Sequence, residues 1–414
     1  MLALKHIVII FIIVFGLTII IHAEDQASRH LARFNREISL ELYTGNLAKI
    51  GANGEGVLEC YRGVKLSEIY YFSSSVTLIN RENGIEIDDE NGLVTFGLAE
   101  VRCKPRLSST VMTCCGNAYR GYIKAIYQDT TLGMIVLNIV DIEDYLKGVL
   151  PGEIGHRTDD EYEAVKAQAV ASRTYAIWKL TDRETSGKLS STVADQLYTG
   201  KDTEMPFLSK AVDETFGEII TYKDRPIAAY YHAVCGGYTS PIEKTWPDKM
   251  PTPYLAAVDD DSNCAWAKSF SWTETYSFDG LKANLISYFT AKSSADSASF
   301  DEIKDINFME DPETGRVDTM KVLTGQGIFI AADDKIRWAL GRQSVPGTIL
   351  PSTRFRAEKE MKDGKLLGLK LNGSGNGHGV GMCQCGAIGQ ARAGQKYDDI
   401  LKFYYRHTKL EKLY

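Results

Sequence analysis

Residues Leu146 to Tyr175 read LKGVLPGEIGHRTDDEYEAVKAQAVASRTY, a short apolar segment, a Pro-Gly pair, one glutamate and a long alanine-rich run. Pro151 and Gly152 predict a turn. Glu153 follows them between Leu150 and Ile154, where partial loss of water favours the protonated carboxyl and so a proton donor. From about Asp159 to Leu180, acidic residues lead into small and apolar side chains, the pattern of a helix N-terminus followed by a closely packed helix. Lys166 and Arg173 stand seven residues apart, so at about 3.6 residues per turn they leave the helix on almost the same face. Glu163 offers Lys166 an ordinary partner three residues away; the other reading is a pair of cations aimed at an anionic group.

Upstream of this stretch the period changes from helical to strand-like. Ile38 to Leu42, Val57 to Tyr61, Tyr70 to Ile79, Gly84 to Ile87 and Leu93 to Phe96 are short runs rich in β-branched and aromatic residues, separated by Asn-Gly and Glu-Asn-Gly turns. They predict a β-rich N-terminal lobe over residues 24–118. Two more strands between Tyr122 and Ile139 lead into Asp141, which is placed to cap a short helix with Asp144 in its first turn. Downstream, strand-like segments (218–222, 227–233, 319–322, 328–330, 367–371) interleave with helical ones (281–290, 384–393, 397–405). The fold class expected is therefore α+β, with a β-rich N-terminal lobe followed by a mixed domain over 119–414.

A chain of 414 residues at 44% hydrophobic and 24% charged can bury a full core, and its length suits two domains, or one large one with a lobe. The net charge of −7, with no basic stripe, argues against nucleic acid as a partner. Lys5 and His6, an apolar run from Ile7 to Ile21 and Ala23 before Glu24-Asp25-Gln26 follow the order of a secretory signal over residues 1–23. The run falls short of the roughly 20 residues of a spanning helix, which favours a removed signal over a retained membrane anchor. Either way the body of the chain is expected outside the cytoplasmic membrane, in the periplasm or cell wall. Eight cysteines (60, 103, 114, 115, 235, 264, 383 and 385) permit disulfides in such a chain without assigning them.

Several motifs in order give the long stretch its meaning: Asp195-Gln196-Leu197-Tyr198-Thr199-Gly200, then AAYYHAVCGGYTS from Ala228 to Ser240, Trp246 with Pro253-Tyr254-Leu255, and GHGVGMCQCGA from Gly377 to Ala387. With the first stretch they resemble the SpoIID/LytB family from about Tyr119 to the C-terminus. The resemblance implies an enzyme that cleaves the glycan strands of peptidoglycan between N-acetylmuramic acid and N-acetylglucosamine, leaving 1,6-anhydro-muramyl ends, with Glu153 as acid and base. It also implies substrate-binding roles for Lys166, Arg173, Gln196, Tyr198, His232 and His378, and it needs no cofactor. The family contains activators of a partner amidase as well, so a peptidoglycan-binding activator without chemistry of its own is the second reading.

Gly373, Gly375, Gly377, Gly379 and Gly381 recur every second residue. In an extended segment this would bare one face, either for another backbone or for a ligand. No GxGxxG spacing or Gly-Lys-Ser/Thr ending fits a phosphate loop. Cys383 or Cys385 before a helix, with His378 or His232, motivates a Cys/His peptidase or amidase as a competing enzyme reading. Some family members hold zinc with a His and cysteines just upstream of the Gln-x-Tyr motif. Here residues 181–198 contain neither Cys nor His, so that site is not carried over. His232, Cys235, Cys264, Cys383 and Cys385 have the ligand chemistry for a different zinc site, but a Cys235–Cys264 disulfide accounts for two of them more simply. Trp246 and Tyr254 offer stacking surfaces for sugar rings, with core packing the commoner use of such residues.

Overall fold

A computed structural model describes residues 34–182, 185, 188–192, 194–292, 297–362 and 365–414, so the expected signal segment lies outside the described residues. Among them no helix is long and apolar enough to cross a membrane. The chain divides into two compact units, one comprising the described residues to His156 with Ser172–Ala228 and Leu410–Tyr414, the other Arg157–Ala171 and Ala229–Lys409.

The first unit begins with twelve strands: β1 (Glu37–Gly45), β2 (Leu47–Ala52), β3 (Gly56–Arg62), β4 (Lys65–Phe72), β5 (Ser75–Arg81), β6 (Gly84–Asp89), β7 (Gly92–Leu98), β8 (Glu100–Pro105), β9 (Met112–Cys114), β10 (Asn117–Tyr119), β11 (Tyr122–Asp129) and β12 (Gly133–Asp141). Alternation builds the core: Ile38 and Leu40 of β1, Leu58 and Cys60 of β3, Val76 and Leu78 of β5, and Ile123 and Ala125 of β11 are buried while their neighbours face outward. One sheet has the order β13-β1-β12-β11-β8-β3-β4, where β13 is Leu189–Ser190, and the other β10-β9-β2-β5-β6-β7. Contacts of β11 with β5, β6 and β9, and of β3 with β7, join the two sheets.

Two expectations are corrected here. The run 70–79 is two strands, because bends at Ser73 and Ser74 end β4 and start β5. The break expected between residues 118 and 119 falls inside the first unit, since β11 pairs with β8 (Ile123 opposite Cys103) and β12 with β1 (Val140 opposite Ile38). Hydrogen-bonded strands on both sides of a position exclude a boundary there.

Helix α1 (Ile142–Glu153) starts at Asp141, whose Oδ1 accepts the Glu143 N–H at 2.9 Å. Pro151 and Gly152 do not form the expected turn, for they occupy its last turn, and the chain leaves the helix only at Gly155, with φ of 67°. Proline this close to a C-terminus removes one hydrogen bond without stopping the helix. A 3-10 turn at Asp159–Glu161 precedes α2 (Tyr162–Thr181), where the Thr158 N–H donates to Glu161 Oε2 at 3.1 Å in a capping box. Helix α3 (Pro206–Glu214) and the hairpin β14 (Glu218–Tyr222) and β15 (Arg225–Pro226) follow, with the C-terminal strand Lys409–Lys412 beside β14.

In the second unit, α4 (Ile242–Thr245) is a single turn, and β16 (Tyr231–His232) runs parallel to a short strand at Met382–Cys383. Antiparallel β17 (Ser271–Ser277), Phe355–Lys362 and Lys365–Ser374 form one three-stranded sheet, and β18 (Ile303–Glu310), β19 (Val317–Thr324) and β20 (Ile328–Ala332) another. Helices α5 (Phe278–Lys292) and α6 (Ile336–Leu340) enclose with them a core that includes Tyr276, Leu285, Phe300, Ile306, Met320 and Leu371. Helices α7 (Gln384–Arg392) and α8 (Tyr397–Tyr404) complete the unit.

Candidate functional site

The end of α1 and the loop 195–200 form one structure, tied residue by residue. Asp195 accepts from the Tyr175 hydroxyl at 2.8 Å and the Ser190 N–H at 2.9 Å, and pairs with Lys179 at 2.9 Å. Gln196, fully buried, accepts from the Tyr145 hydroxyl at 2.9 Å and donates to the Ser172 carbonyl at 3.2 Å. The Leu197 N–H donates to Glu153 Oε1 at 2.8 Å. Tyr198 donates its hydroxyl to Asn138 Oδ1 at 2.8 Å, and Thr199 bonds the Gly148 carbonyl through its N–H at 3.2 Å and its hydroxyl at 2.9 Å. Gly152 lets the loop approach, for a Cβ there would stand 3.1 Å from the Leu197 carbonyl oxygen.

Glu153 is thus a half-buried carboxylate at a helix end, fixed in one orientation by a backbone amide of an independently anchored loop. A positioned acid of this kind can protonate a leaving oxygen and later accept a proton from an attacking hydroxyl. Gln196 and Tyr198, expected to bind substrate, are buried and hold the loop instead.

Gly200 closes the motif with φ of 73°, and a Cβ there would lie 2.5 Å from the Ala118 carbonyl oxygen. Gly200→Ala is expected to lower stability by at least about 1–2 kcal/mol through left-handed backbone strain alone. Thermal melting measures it, and a variant that melts with the native chain would show that the loop tolerates the side chain.

The two cations of α2 differ. Lys166 lies 3.5 Å from Glu163 and over the rings of Tyr162 and Tyr397 at 5.1 and 5.7 Å. Arg173 is fully buried, and the expectation that it grips substrate is corrected: its Nε and Nη2 donate to the two oxygens of Glu143 at 2.8 and 2.6 Å, and other donors reach the Glu218 and Val212 carbonyls.

In the second unit the remaining site residues gather around aromatic rings. Tyr230 packs on Trp246 at 5.0 Å, Trp246 on His378 at 5.1 Å, and His378 on His232 at 5.5 Å. His378 Nδ1 accepts the Val380 N–H at 3.1 Å while Nε2 lies 3.0 Å from the Tyr231 carbonyl, which sets the tautomer. His232 is buried with Nδ1 3.1 Å from the Val380 carbonyl. Burial pushes His378 down to about 4 and His232 well below its usual value, so both rings are neutral at physiological pH. Backbone groups thus occupy both nitrogens of His378 and Nδ1 of His232, while His232 Nε2 is buried without a hydrogen-bond partner among the described residues.

The glycine run is not the extended segment expected. Gly375, Gly377, Gly379 and Gly381 all have positive φ. A Cβ on Gly381 would stand 2.0 Å from the Tyr230 carbonyl oxygen, and one on Gly379 2.4 Å from Arg316 Nη2. The glycines let this segment pack on residues 230–235 and on a buried arginine, rather than floor a groove. Sequence reading missed Glu143, Asp260 and Arg316, since a single acidic or basic residue carries no period that marks it as buried.

The family model described as stage II sporulation protein matches residues 130–222, which hold α1, Glu153, α2 and the 195–200 loop, and a model described as a domain of unknown function matches residues 201–381. An uncharacterized protein of Brachyspira hyodysenteriae is 36% identical over 298 residues, 71% of this chain and 72% of that protein. The amidase enhancer of Bacillus subtilis is 29% identical over 373 residues, 83% of this chain, which spans only 51% of that relative. Stage II sporulation protein D of Bacillus subtilis is 26% identical over 291 residues, 66% of this chain and 74% of that protein.

Proposed function

The chain belongs to the SpoIID/LytB family, and on that premise we propose that it is an exported lytic transglycosylase acting on the glycan strands of peptidoglycan. The observation that carries this reading is Glu153, held at the end of α1 by the Leu197 amide. In the first step the Glu153 carboxylic acid gives its proton to the glycosidic oxygen between N-acetylmuramic acid and N-acetylglucosamine, and the C1–O bond breaks. In the second, the C6 hydroxyl of the same muramic residue attacks C1 while the Glu153 carboxylate takes up the hydroxyl proton. The 1,6-anhydro ring closes and the acid is regenerated. Because the substrate supplies the nucleophile, the second carboxylate of a hydrolytic pair has no task.

The relative named amidase enhancer favours a second reading, in which the chain binds glycan strands and activates a partner cell-wall amidase. Purified chain incubated with peptide-free glycan strands, with products analysed by mass spectrometry, tests both. Anhydro-muramyl ends are expected in the absence of any partner. Ordinary reducing ends would identify a hydrolase, and uncut strands would leave the activator role in place of catalysis.

A further inference from the structure

Behind the glycine run the second unit brings together four side chains that sequence spacing scatters. Cys235, Asp260, Cys264 and Cys383 are each 0% exposed, and their three sulfurs and one carboxylate oxygen all lie within 4.8 Å of one another. Cys235 Sγ stands 3.4 Å from Cys264 Sγ and 3.3 Å from Asp260 Oδ2. Around a tetrahedral zinc, with Zn–S near 2.3 Å, ligand atoms sit about 3.8 Å apart. The cluster is close to that size before any ion enters.

The surroundings fit bound thiolates. Cys383 Sγ accepts the N–H groups of Cys235 at 3.2 Å and Gly386 at 3.3 Å, and Cys235 Sγ that of Gly237 at 3.3 Å. Amides aimed at sulfur stabilise the anionic ligand and fix its direction. Cys383 also caps the nine-residue helix α7, whose N-terminal dipole favours negative charge.

Two buried charges are otherwise unexplained. The Asp260 side chain meets the Tyr404 hydroxyl and the Cys235 thiol, and no Lys, Arg or His pairs with it among the described residues. Arg316, 4% exposed, donates Nη2 to the Cys235 carbonyl at 3.1 Å, while its Nε and Nη1 have no hydrogen-bond partner among the described residues. A carboxylate buried without a cation and a guanidinium buried without an anion are each costly. A divalent ion on three thiolates and Asp260 satisfies the first and leaves a net negative centre beside the second.

We propose that Cys235, Asp260, Cys264 and Cys383 hold one zinc ion. Four protein donors complete the coordination and leave no position for water, so the ion is structural. It ties the irregular segment around Cys235, the turn carrying Asp260 and Cys264, and the start of α7. The ligand set drops His232 and Cys385 from the cluster considered from sequence and adds Asp260. A Cys235–Cys264 disulfide is the competing arrangement, and it would leave the Asp260 carboxylate buried with no counter-charge.

The full chain, purified without chelator, is expected to carry one zinc by elemental mass spectrometry. Replacement by cobalt chloride is expected to give the intense visible bands and thiolate charge-transfer absorption of a tetrahedral sulfur site. Cys383→Ser is expected to lose the metal and Asp260→Asn to weaken retention during dialysis, while Cys115→Ser keeps one zinc. The cobalt spectrum needs no variant to fold, so loss of Cys383→Ser to aggregation would not rescue the idea. A metal-free native chain whose peptide map shows a Cys235–Cys264 disulfide overturns it, as does cobalt bound without thiolate absorption.

Discussion

Glu153→Gln is expected to lower the rate of glycan-strand cleavage by about 10²–10⁴-fold, the range lost when a positioned general acid or base is removed. The substitution is close to isosteric, and the amide oxygen of Gln can still accept the Leu197 N–H that Glu153 Oε1 accepts at 2.8 Å. The end of α1 and the 195–200 loop should therefore keep their arrangement and the melting temperature should stay at the native value. What disappears is the proton. An amide neither protonates a glycosidic oxygen nor takes up the proton of the C6 hydroxyl, so both steps fail while strand binding survives. Release of anhydro-muramyl products, measured beside co-sedimentation with glycan strands, separates these effects. A Glu153→Gln chain that cuts at the native rate would end the transglycosylase reading, and unchanged stimulation of a partner amidase would then favour the activator.

The sequence made the local geometry of this site legible and hid its tertiary part. Strand alternation in β1 and β3 and the Asp141 cap of α1 are local signals, and each appears where the pattern places it. The division into units was hidden, because β12 reaches back across about a hundred residues to β1 (Val140 opposite Ile38), and strand pairing of that range leaves no mark in a short window. Pro151 misled for a related reason: proline is a reliable punctuator in a helix interior, yet near a C-terminus it removes only one hydrogen bond. The glycine run announced close approach correctly but not its form, since a two-residue period suggests an extended strand whereas four of its glycines have positive φ. Asp260 was obscured by its neighbours, because Asp259, Asp260 and Asp261 together look like a solvated turn while only the middle one is buried.

Arg173→Met is expected to destabilise the chain by about 3–5 kcal/mol, the usual consequence of removing one partner of a buried ion pair. Arg173 is 0% exposed and Glu143 4%, and the two meet through paired contacts at 2.8 and 2.6 Å. Glu143 Oε1 also accepts the Gly217 N–H at 3.2 Å and the Tyr414 hydroxyl at 2.6 Å, while Arg173 reaches the carbonyls of Glu218 and Val212. The pair therefore joins α1, α2, the end of α3 and the C-terminal residue within the first unit. Methionine fills much of the space and leaves Glu143 as a buried anion with no cation, so the loss is electrostatic rather than a cavity. Arg173→Lys should recover little, because an ammonium cannot supply the planar fork that serves two carboxylate oxygens and two carbonyls at once. If Arg173 instead gripped substrate, both variants would melt with the native chain and weaken only the binding of glycan strands. Chemical denaturation of the two variants beside a strand-binding assay decides between these outcomes. Since α1 ends in Glu153, a loosened Glu143–Arg173 pair should also slow cleavage in proportion to the fraction unfolded, and native turnover per folded molecule is the expected remainder.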